Sequence, residues 1–272
     1  MPEGDTIYRT AATLRKALLE RVVTRFDALV PEVAAVDSRT PVAGRTVEAV
    51  EPRGKHLLIR FSAAPPAGPL VLHTHMRMTG SWHVYRPGEK WQKPERYARV
   101  VIHTDAFVVP CFSAPVVELL SAWQADRHPD LRSLGPDAIT PEFDPEEALR
   151  RLQRLPESEI AVALLNQRVL AGVGNIYKSE VLFVCRVSPF ARVGELPEET
   201  LRGLITESHR LLTLNRSGGS RRTVFGLDEG KRLWVYGRSG EPCRACGEPV
   251  RMRRQGIDAR STYFCPRCQG VE

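Results

Sequence analysis

Four cysteines near the C-terminus place the strongest constraint on how this chain can fold. Cys243 and Cys246 form one Cys-x2-Cys pair, Cys265 and Cys268 form a second, and eighteen residues separate the two pairs. This spacing is typical of a tetrahedral four-cysteine zinc site, which is structural because it leaves no open position for a substrate. Two disulfides are the alternative, disfavoured because the start MPEGDTIYRT contains no apolar secretory segment. We therefore predict one structural Zn²⁺.

The net charge of +7 is concentrated in the segment that holds these cysteines. From Leu201 to the C-terminus there are fourteen basic and seven acidic residues, whereas the rest of the chain is balanced. A basic segment around a zinc site favours a nucleic-acid partner, because basic side chains neutralise phosphates. On charge alone, a solvated cationic surface is an equal alternative. No apolar run approaches the length of a membrane span, so we expect no membrane partner.

The pattern of apolar residues changes along the chain. Residues 5–20 show helical spacing, and seven strand-like segments separated by Pro and Gly turns follow them. From RHPDLRSLGPDAI onward the pattern becomes helical, and short strands return around KRLWVYGR and the cysteines. The candidate helices of this half are 146–155, 157–170, 175–185 and 197–214.

These patterns predict an α+β chain of two domains with an appended finger. The predicted parts are a β-sandwich with flanking helices at 1–127, a Pro- and Gly-containing linker at 128–141, a helical domain at 142–225 and a zinc finger at 226–272.

A glycine-rich turn leads into the third candidate helix of the second half. Gly172 and Gly174 allow a sharp double turn, and Asn175 is a suitable N-cap. Free backbone N–H groups at a helix start can bind a phosphate. The alternative is an ordinary tight corner between two helices.

The chain begins Met-Pro-Glu-Gly, which offers a nucleophile if Met1 is removed. The secondary amine of Pro2 would then be free, and an amine can attack an aldehyde-level carbon and form an iminium. A terminal amine has a pKa near about 8, so part of it is uncharged at physiological pH. Glu3 lies next to the positive end of the first helix, which favours its ionised form. A solvated N-terminal tail is the alternative.

Together these features resemble the formamidopyrimidine-DNA glycosylase/endonuclease VIII family of bacterial base-excision repair enzymes. The resemblance covers essentially the whole chain. It rests on MPEGDTI, RGKHLLIRF, HMRMTGSW, LGPD, LLNQRVLAGVGNIYKSEVLF, WVYGR and STYFCPRCQ. It implies an N-terminal β-sandwich flanked by helices, then a helix-two-turns-helix domain with a zinc-finger β-hairpin. It also implies a DNA glycosylase and abasic-site lyase that acts on double-stranded DNA in the bacterial cytoplasm, and we expect a monomer.

The resemblance implies roles for three catalytic residues. Pro2 matches the nucleophile and Glu3 the catalytic acid of the family. Lys55, in Arg53-Gly54-Lys55, matches a lysine that contacts DNA phosphate and assists catalysis. Without the family match, Lys55 would be an ordinary lysine at the end of a strand.

The resemblance also implies four DNA-binding residues: His75, Met78, Asn175 and Arg260. Met78 matches an apolar wedge that enters the base stack when the damaged nucleotide leaves it. Core packing of Met78 or of nearby Met76 is the alternative, and Arg253 or Arg254 could take the place of Arg260.

The choice of damaged base is predicted from two departures from the oxidised-purine branch. The start PEGD resembles the endonuclease VIII branch, which removes oxidised pyrimidines, and residues 104–112 contain no void-filling arginine. The alternatives are an oxidised-purine glycosylase, an enzyme that acts mainly as an abasic-site lyase, and a non-catalytic damaged-DNA-binding protein if Met1 is retained. The loop 215–226 could contact the extruded base or serve only as a linker.

Overall fold

The computed structural model of the protein describes residues 2–225 and 232–271. The chain divides into two compact units, Met1–Arg132 and Ser133–Glu272. The first unit contains two β-sheets, and the second contains helices followed by the hairpin that holds the cysteines. The predicted α+β class is therefore confirmed.

The first unit is built on two four-stranded antiparallel sheets. Its strands are β1 (Arg25–Ala28), β2 (Val47–Arg53), β3 (His56–Phe61), β4 (Leu70–His75), β5 (Ser81–Trp82), β6 (Ala98–His103), β7 (Val108–Phe112) and β8 (Val116–Ser121). One sheet has the order β1-β6-β7-β5 and the other the order β2-β3-β4-β8. Four helices accompany them in the described part of the unit: α1 (Gly4–Leu18), α2 (Pro31–Asp37), α3 (Ala122–Arg127) and α4 (Pro129–Arg132).

A single hydrophobic cluster joins the two sheets to α1. Leu14 of α1, Ile59 of β3 and Ile102 of β6 all belong to it and are fully buried. The apolar positions that predicted α1 are the ones it buries, as expected for an amphipathic helix.

Helix α1 runs antiparallel to β2. The Arg15 Nε–H donates to the Val50 carbonyl at 2.7 Å, and the backbone N–H of Glu20 donates to Val47 at 2.9 Å. Arg15 in the last turn of the helix thus lies beside the middle of the strand, and Glu20, just after the helix, lies beside the start of the strand. The start of α1 consequently lies towards the end of β2 that leads into β3.

Strand β8 was not predicted from the sequence. Its residues, VVELLS, form a short apolar run, and such a run does not distinguish a strand from a buried helix. What makes it a strand is pairing with β4, in which His73 lies opposite Glu118.

The described residues of the second unit form four longer helices and a two-stranded hairpin. Its elements are α5 (Pro145–Gln153), α6 (Ile160–Leu165), α7 (Asn175–Val184), α8 (Glu198–Leu214), β9 (Arg251–Gln255), β10 (Arg260–Phe264) and the short α9 (Pro266–Gln269). Strands β9 and β10 pair antiparallel. The sequence predicted strands around KRLWVYGR, but residues 232–238 contain no strand, only a bend at 234–235 and a turn at 236–237, and Lys231 lies outside the described residues.

The predicted helix over 157–170 is too long at both ends, because α6 spans only Ile160–Leu165. Gln167 replaces the missing helical bonds: its Nε2 donates to Leu165 O at 2.8 Å and to Val173 O at 2.9 Å. Its Oε1 accepts from the backbone N–H of Gly172 at 3.1 Å, where φ is +91°. One amide side chain thus holds the two turns between α6 and α7.

Candidate active site and zinc centre

The start of α1 places Glu3 in a buried position. Glu3 is the N-cap, and its carbonyl accepts from the N–H groups of Thr6 at 2.9 Å and Ile7 at 3.1 Å. The Glu3 side chain is fully buried at this N-terminus of the helix. Pro2 is half-buried beside it, and Met1 lies outside the described residues.

Lys55 occupies the two-residue turn between β2 and β3. Arg53 pairs with His56, so Gly54 and Lys55 form the turn, and Gly54 has a φ of +59° that glycine adopts without strain. His56 in turn pairs with His75 across β3 and β4. The fold thus brings Lys55 and His75 together at one end of this sheet, the end towards which α1 begins.

The predicted DNA contact His75 is uncharged at neutral pH. Its pKa is lowered to about 4, first by burial and then by the positive charges of Lys55 and Arg77. The backbone N–H of Arg77 donates to His75 Nδ1 at 3.1 Å. Since Nδ1 accepts, the single ring proton lies on Nε2, which makes Nε2–H a hydrogen-bond donor.

The two methionines after β4 have opposite environments. Met76 is 3% exposed and packs in the hydrophobic cluster, whereas Met78 is 64% exposed. The turn between them closes where the Gly80 N–H donates to Met76 O at 2.8 Å. Core packing therefore accounts for Met76 but not for Met78, the residue that the family resemblance assigns as the wedge.

A histidine chain behind Lys55 was missed by the sequence reasoning. His56 Nδ1 lies 2.8 Å from His73 Nε2, and His73 Nδ1 lies 2.7 Å from Glu118 Oε2. An ionised carboxylate only accepts, so His73 donates from Nδ1 and its Nε2 must accept from His56 Nδ1–H. His56 also meets His75 edge-on, with ring centroids 4.6 Å apart. His73 and His75 lie two residues apart on β4 and therefore share one face of the strand. This spacing in the sequence could have predicted that the two histidines lie close together.

His73, Glu118 and His128 present ligand atoms within 4.8 Å of one another, a set that could hold a metal ion. Two ligands of a tetrahedral zinc at about 2.1 Å would lie roughly 3.4 Å apart. The 2.7 Å between His73 and Glu118 is instead the length of a charge-assisted hydrogen bond. We therefore interpret this cluster as a hydrogen-bond chain.

In the second unit, Asn175 is the first residue of α7 and Gly174 is the N-cap. The prediction of Asn175 as N-cap is therefore wrong by one position. Its side chain is engaged with other groups: Nδ2 donates to Ser261 Oγ at 2.8 Å, and Oδ1 accepts from Lys178 Nζ at 2.8 Å. Asn175 is buried, while the Arg260 side chain beside Ser261 is exposed, 3.6 Å from Asp258. The fold thus brings Asn175 close to the residue that follows Arg260.

Glu180 is a second residue that the sequence reasoning missed. Its buried carboxylate accepts from the N–H groups of Trp234 at 2.7 Å, Val235 at 2.9 Å and Tyr236 at 2.8 Å, and from the Thr223 hydroxyl. One carboxylate therefore ties α7 to the chain on both sides of the residues that lie outside the described ranges.

The four cysteines converge as the zinc prediction requires. All four sulfur atoms lie within 4.8 Å of one another, with Cys243 Sγ to Cys268 Sγ at 3.9 Å and Cys246 Sγ to Cys265 Sγ at 3.5 Å. A disulfide would need about 2.05 Å, whereas a tetrahedral zinc with Zn–S bonds of about 2.3 Å gives edges of roughly 3.8 Å. The cluster is positioned to bind one structural zinc.

Three family models together match most of the chain. The formamidopyrimidine-DNA glycosylase N-terminal domain matches residues 1–115, its H2TH domain matches 134–223, and the zinc finger found in FPG and IleRS matches 240–271. The chain belongs to the formamidopyrimidine-DNA glycosylase family. It is therefore a member of a family of DNA-repair glycosylases with abasic-site lyase activity.

Relatives within this family align with the chain from end to end. It is 44% identical over 272 residues to "Probable endonuclease 8 2" of Streptomyces coelicolor, covering 99% of this chain and 94% of the relative. It is 41% identical to "DNA-(apurinic or apyrimidinic site) lyase Nei2" of Mycolicibacterium smegmatis, covering 99% of both chains.

The glycosylase fold is confirmed by comparison with solved structures. A MutM chain in complex with carbocyclic 8-oxo-G DNA superposes with a TM-score of 0.81 at 23% identity, covering 98% of this chain and 99% of that one.

The first four residues of the arginine-free segment 104–112 form a tight turn, and the rest of the segment is strand β7. Between β6 and β7, the Thr104 N–H donates to Phe107 O at 2.9 Å, and Thr104 Oγ1 accepts from Phe107 N–H at 3.0 Å. Only Asp105 and Ala106 lie between them, so this turn presents no long side-chain probe.

Within the described ranges, no helix is both long and apolar enough to cross a membrane.

Proposed function

We propose that this protein is a bifunctional DNA glycosylase and abasic-site lyase of base-excision repair that removes oxidised pyrimidines through the N-terminal amine of Pro2. The observation that carries the proposal is the placement of Pro2 and the buried Glu3 at the start of α1. The helix begins towards the end of the sheet that holds Lys55 and His75. An amine, a carboxyl group and a lysine are the groups that the reaction requires.

The first step replaces the base with the protein. Because the sugar carbon is inaccessible in a stacked duplex, the damaged nucleotide is extruded first. The Pro2 nitrogen then attacks C1′, a C–N bond forms, and the glycosidic bond breaks with its electron pair leaving on the base. Glu3 takes the proton released by the amine and passes it to the ring oxygen as the ring opens, which yields an iminium.

The iminium drives both strand cleavages. It withdraws electrons from the sugar, so loss of a C2′ proton expels the 3′ phosphate, and a second elimination expels the 5′ phosphate. Water then hydrolyses the iminium and restores the Pro2 amine. The products are a one-nucleotide gap with phosphate at both ends and a free sugar fragment.

Phosphate contacts position the DNA for these steps. Lys55 and Arg260 supply positive charge, and the neutral His75 supplies its Nε2–H as a donor. Asn175 retains one side-chain N–H, because its other groups are occupied by Ser261 and Lys178. Met78 fills the space that the extruded nucleotide leaves, which its exposed position supports.

Two observations support oxidised pyrimidines as the substrate class. The relatives at 44% and 41% identity are named endonuclease 8 2 and Nei2, whereas a relative named formamidopyrimidine-DNA glycosylase, from Symbiobacterium thermophilum, is 35% identical. The tight Thr104–Phe107 turn also offers no arginine to the opposite strand. We place the enzyme in the bacterial cytoplasm, acting as a monomer on double-stranded DNA.

Borohydride trapping tests the proposal directly. Protein with Met1 removed, as verified by intact mass, is incubated with borohydride and duplexes that contain an oxidised pyrimidine, an oxidised guanine or an abasic site. We expect a covalent adduct on the pyrimidine and abasic duplexes, and much less with Pro2→Gly. A matched control carries an N-terminal extension that blocks the amine. Absence of adduct on all three duplexes would leave a non-catalytic DNA-binding protein as the better explanation.

A second candidate is an enzyme that acts mainly as an abasic-site lyase. It is favoured by one observation, the relative named DNA-(apurinic or apyrimidinic site) lyase that matches 99% of this chain. Adduct formation on the abasic duplex without adduct on either damaged-base duplex would support it over the glycosylase.

A further inference from the structure

We infer that Lys178 is a positioning residue of the phosphate-binding site, holding Asn175 and the zinc hairpin in one fixed arrangement. This inference rests on the proposed function and adds to it a residue with no assigned role. Lys178 lies in the first turn of α7, three residues after Asn175, and only 1% of its surface is exposed.

The ammonium group of Lys178 joins two elements of the second unit. Nζ donates to Asn175 Oδ1 at 2.8 Å, to the Ser261 carbonyl at 3.0 Å and to Thr262 Oγ1 at 2.7 Å. These three acceptors match the three N–H donors of an ammonium group. The first acceptor belongs to α7, and the other two belong to β10.

These bonds fix which atoms Asn175 can present to DNA. Because Lys178 has no acceptor atom, the Asn175 group that faces it must be the carbonyl oxygen, so the amide nitrogen points to Ser261 Oγ. One amide N–H is used by Ser261, and the other remains for a phosphate oxygen. Without Lys178, the amide could rotate and present its oxygen, which phosphate repels.

The same bonds position Arg260. It is the first residue of β10, and Ser261 beside it is held both through its carbonyl by Lys178 and through its hydroxyl by Asn175. The exposed Arg260 side chain therefore extends from a strand end whose distance from Asn175 is set by a buried lysine. Lys178 itself is covered by protein, so it acts through these residues and does not contact phosphate.

A double-mutant cycle tests this role. Affinity is measured for a duplex with a tetrahydrofuran abasic analogue, which binds but does not react. We expect Lys178→Met to weaken binding about tenfold, as removal of a charge-assisted bond does. We expect Asn175→Ala to weaken it at least as much, and the loss in the double variant to be clearly smaller than the sum of the two single losses, because both changes disrupt the same Asn175 amide. Additive losses would overturn the inference.

The salt dependence separates positioning from direct contact. Removing a residue that neutralises a phosphate lowers the slope of log affinity against log salt by about 1. We expect that decrease for Arg260→Ala, and no further decrease when Lys178→Met is added to Arg260→Ala. A further decrease in the Arg260→Ala background would mean that Lys178 itself meets phosphate, which would also overturn the inference.

Three controls keep the result interpretable. Arg150→Met removes one positive charge from α5 in the same unit, where Arg150 pairs with Glu147, and should bind like wild type. Zinc content and thermal unfolding verify that each variant is folded. If Lys178→Met does not fold, Ser261→Ala replaces it in the cycle, because this change removes the other partner of the Asn175 amide. The losses of affinity caused by Ser261→Ala and Asn175→Ala should again be non-additive. If wild-type protein neither binds nor forms the borohydride adduct, the proposed function fails; if only the cycle is additive, this inference alone fails.

Discussion

His56 Nδ1 and His73 Nε2 lie 2.8 Å apart on neighbouring strands, directly behind the turn that carries Lys55. Because Glu118 accepts from the opposite side of the His73 ring, the proton between the two histidines belongs to His56. The sheet therefore contains a chain of rings whose tautomers are fixed by one carboxylate. Burial lowers the pKa of both rings, which lie beside the proposed DNA-binding residues, and they also shape how the protein responds to acid.

Acidification should destabilise the fold through these histidines. Burial lowers the pKa of His56 to about 3 and, together with the charge of Lys55, that of His75 to about 4. Both values lie below the unfolded value near 6.5, so between about pH 4 and 6.5 the unfolded chain binds more protons. We expect the free energy of unfolding to fall by on the order of 2 kcal/mol from pH 6.5 to 5.

Urea unfolding at several pH values measures this effect. His56→Gln should show a shallower decline than wild type, whereas His209→Gln, on α8 outside the cluster, should keep the wild-type slope. Equal slopes for wild type and His56→Gln would contradict the prediction.

Replacing Glu180 with glutamine should destabilise the second unit. The buried carboxylate accepts three backbone N–H groups and the Thr223 hydroxyl, and an amide would direct its own N–H groups towards those donors. We expect a loss of about 2–4 kcal/mol in unfolding free energy. Glu199→Gln on the exposed face of α8 makes the same chemical change and should alter stability by less than about 0.5 kcal/mol.

Loss of a zinc ligand should remove DNA binding. Cys246→Ser leaves three thiolates for the metal, so we expect zinc content to fall well below one ion per chain and the hairpin that carries Arg260 to lose its arrangement. Binding to abasic-analogue DNA should weaken at least about a hundredfold. Cys185→Ser, outside the cluster, should retain both zinc and binding, and loss of zinc in that variant would argue against the assigned ligand set.

Alanine substitution should reduce stability at Met76 and activity at Met78. Met76→Ala removes core packing, so we expect a loss of about 2–4 kcal/mol in stability. Met78→Ala should change stability by less than about 0.5 kcal/mol, because the side chain is exposed. Its defect should instead appear in single-turnover excision from damaged duplex, with cleavage of a single-stranded abasic site nearly unchanged. Equal losses on both substrates would argue against a wedge role.

The features predicted best from the sequence are those encoded by spacing along one segment. Two Cys-x2-Cys pairs and the apolar face of α1 each depend on residues that are near in the chain. The order of motifs that identified the family is also a property of the sequence alone. Errors arose where local pattern was ambiguous: β8 reads as a short apolar run, and the predicted helix over 157–170 stops at Leu165, beyond which the Gln167 side chain bonds to the turns that follow.

The sequence by itself determined the family and the metal centre, because each follows from residue types at fixed separations, and it predicted the reacting groups. Only the tertiary structure decided which buried groups support them. His56 meets His73 and Glu118 through strand pairing, Lys178 meets Ser261 and Thr262 across 83 and 84 residues, and Glu180 meets Tyr236 across 56. Such partners are selected by desolvation, since a polar group buried by folding must find a hydrogen bond wherever the fold supplies one.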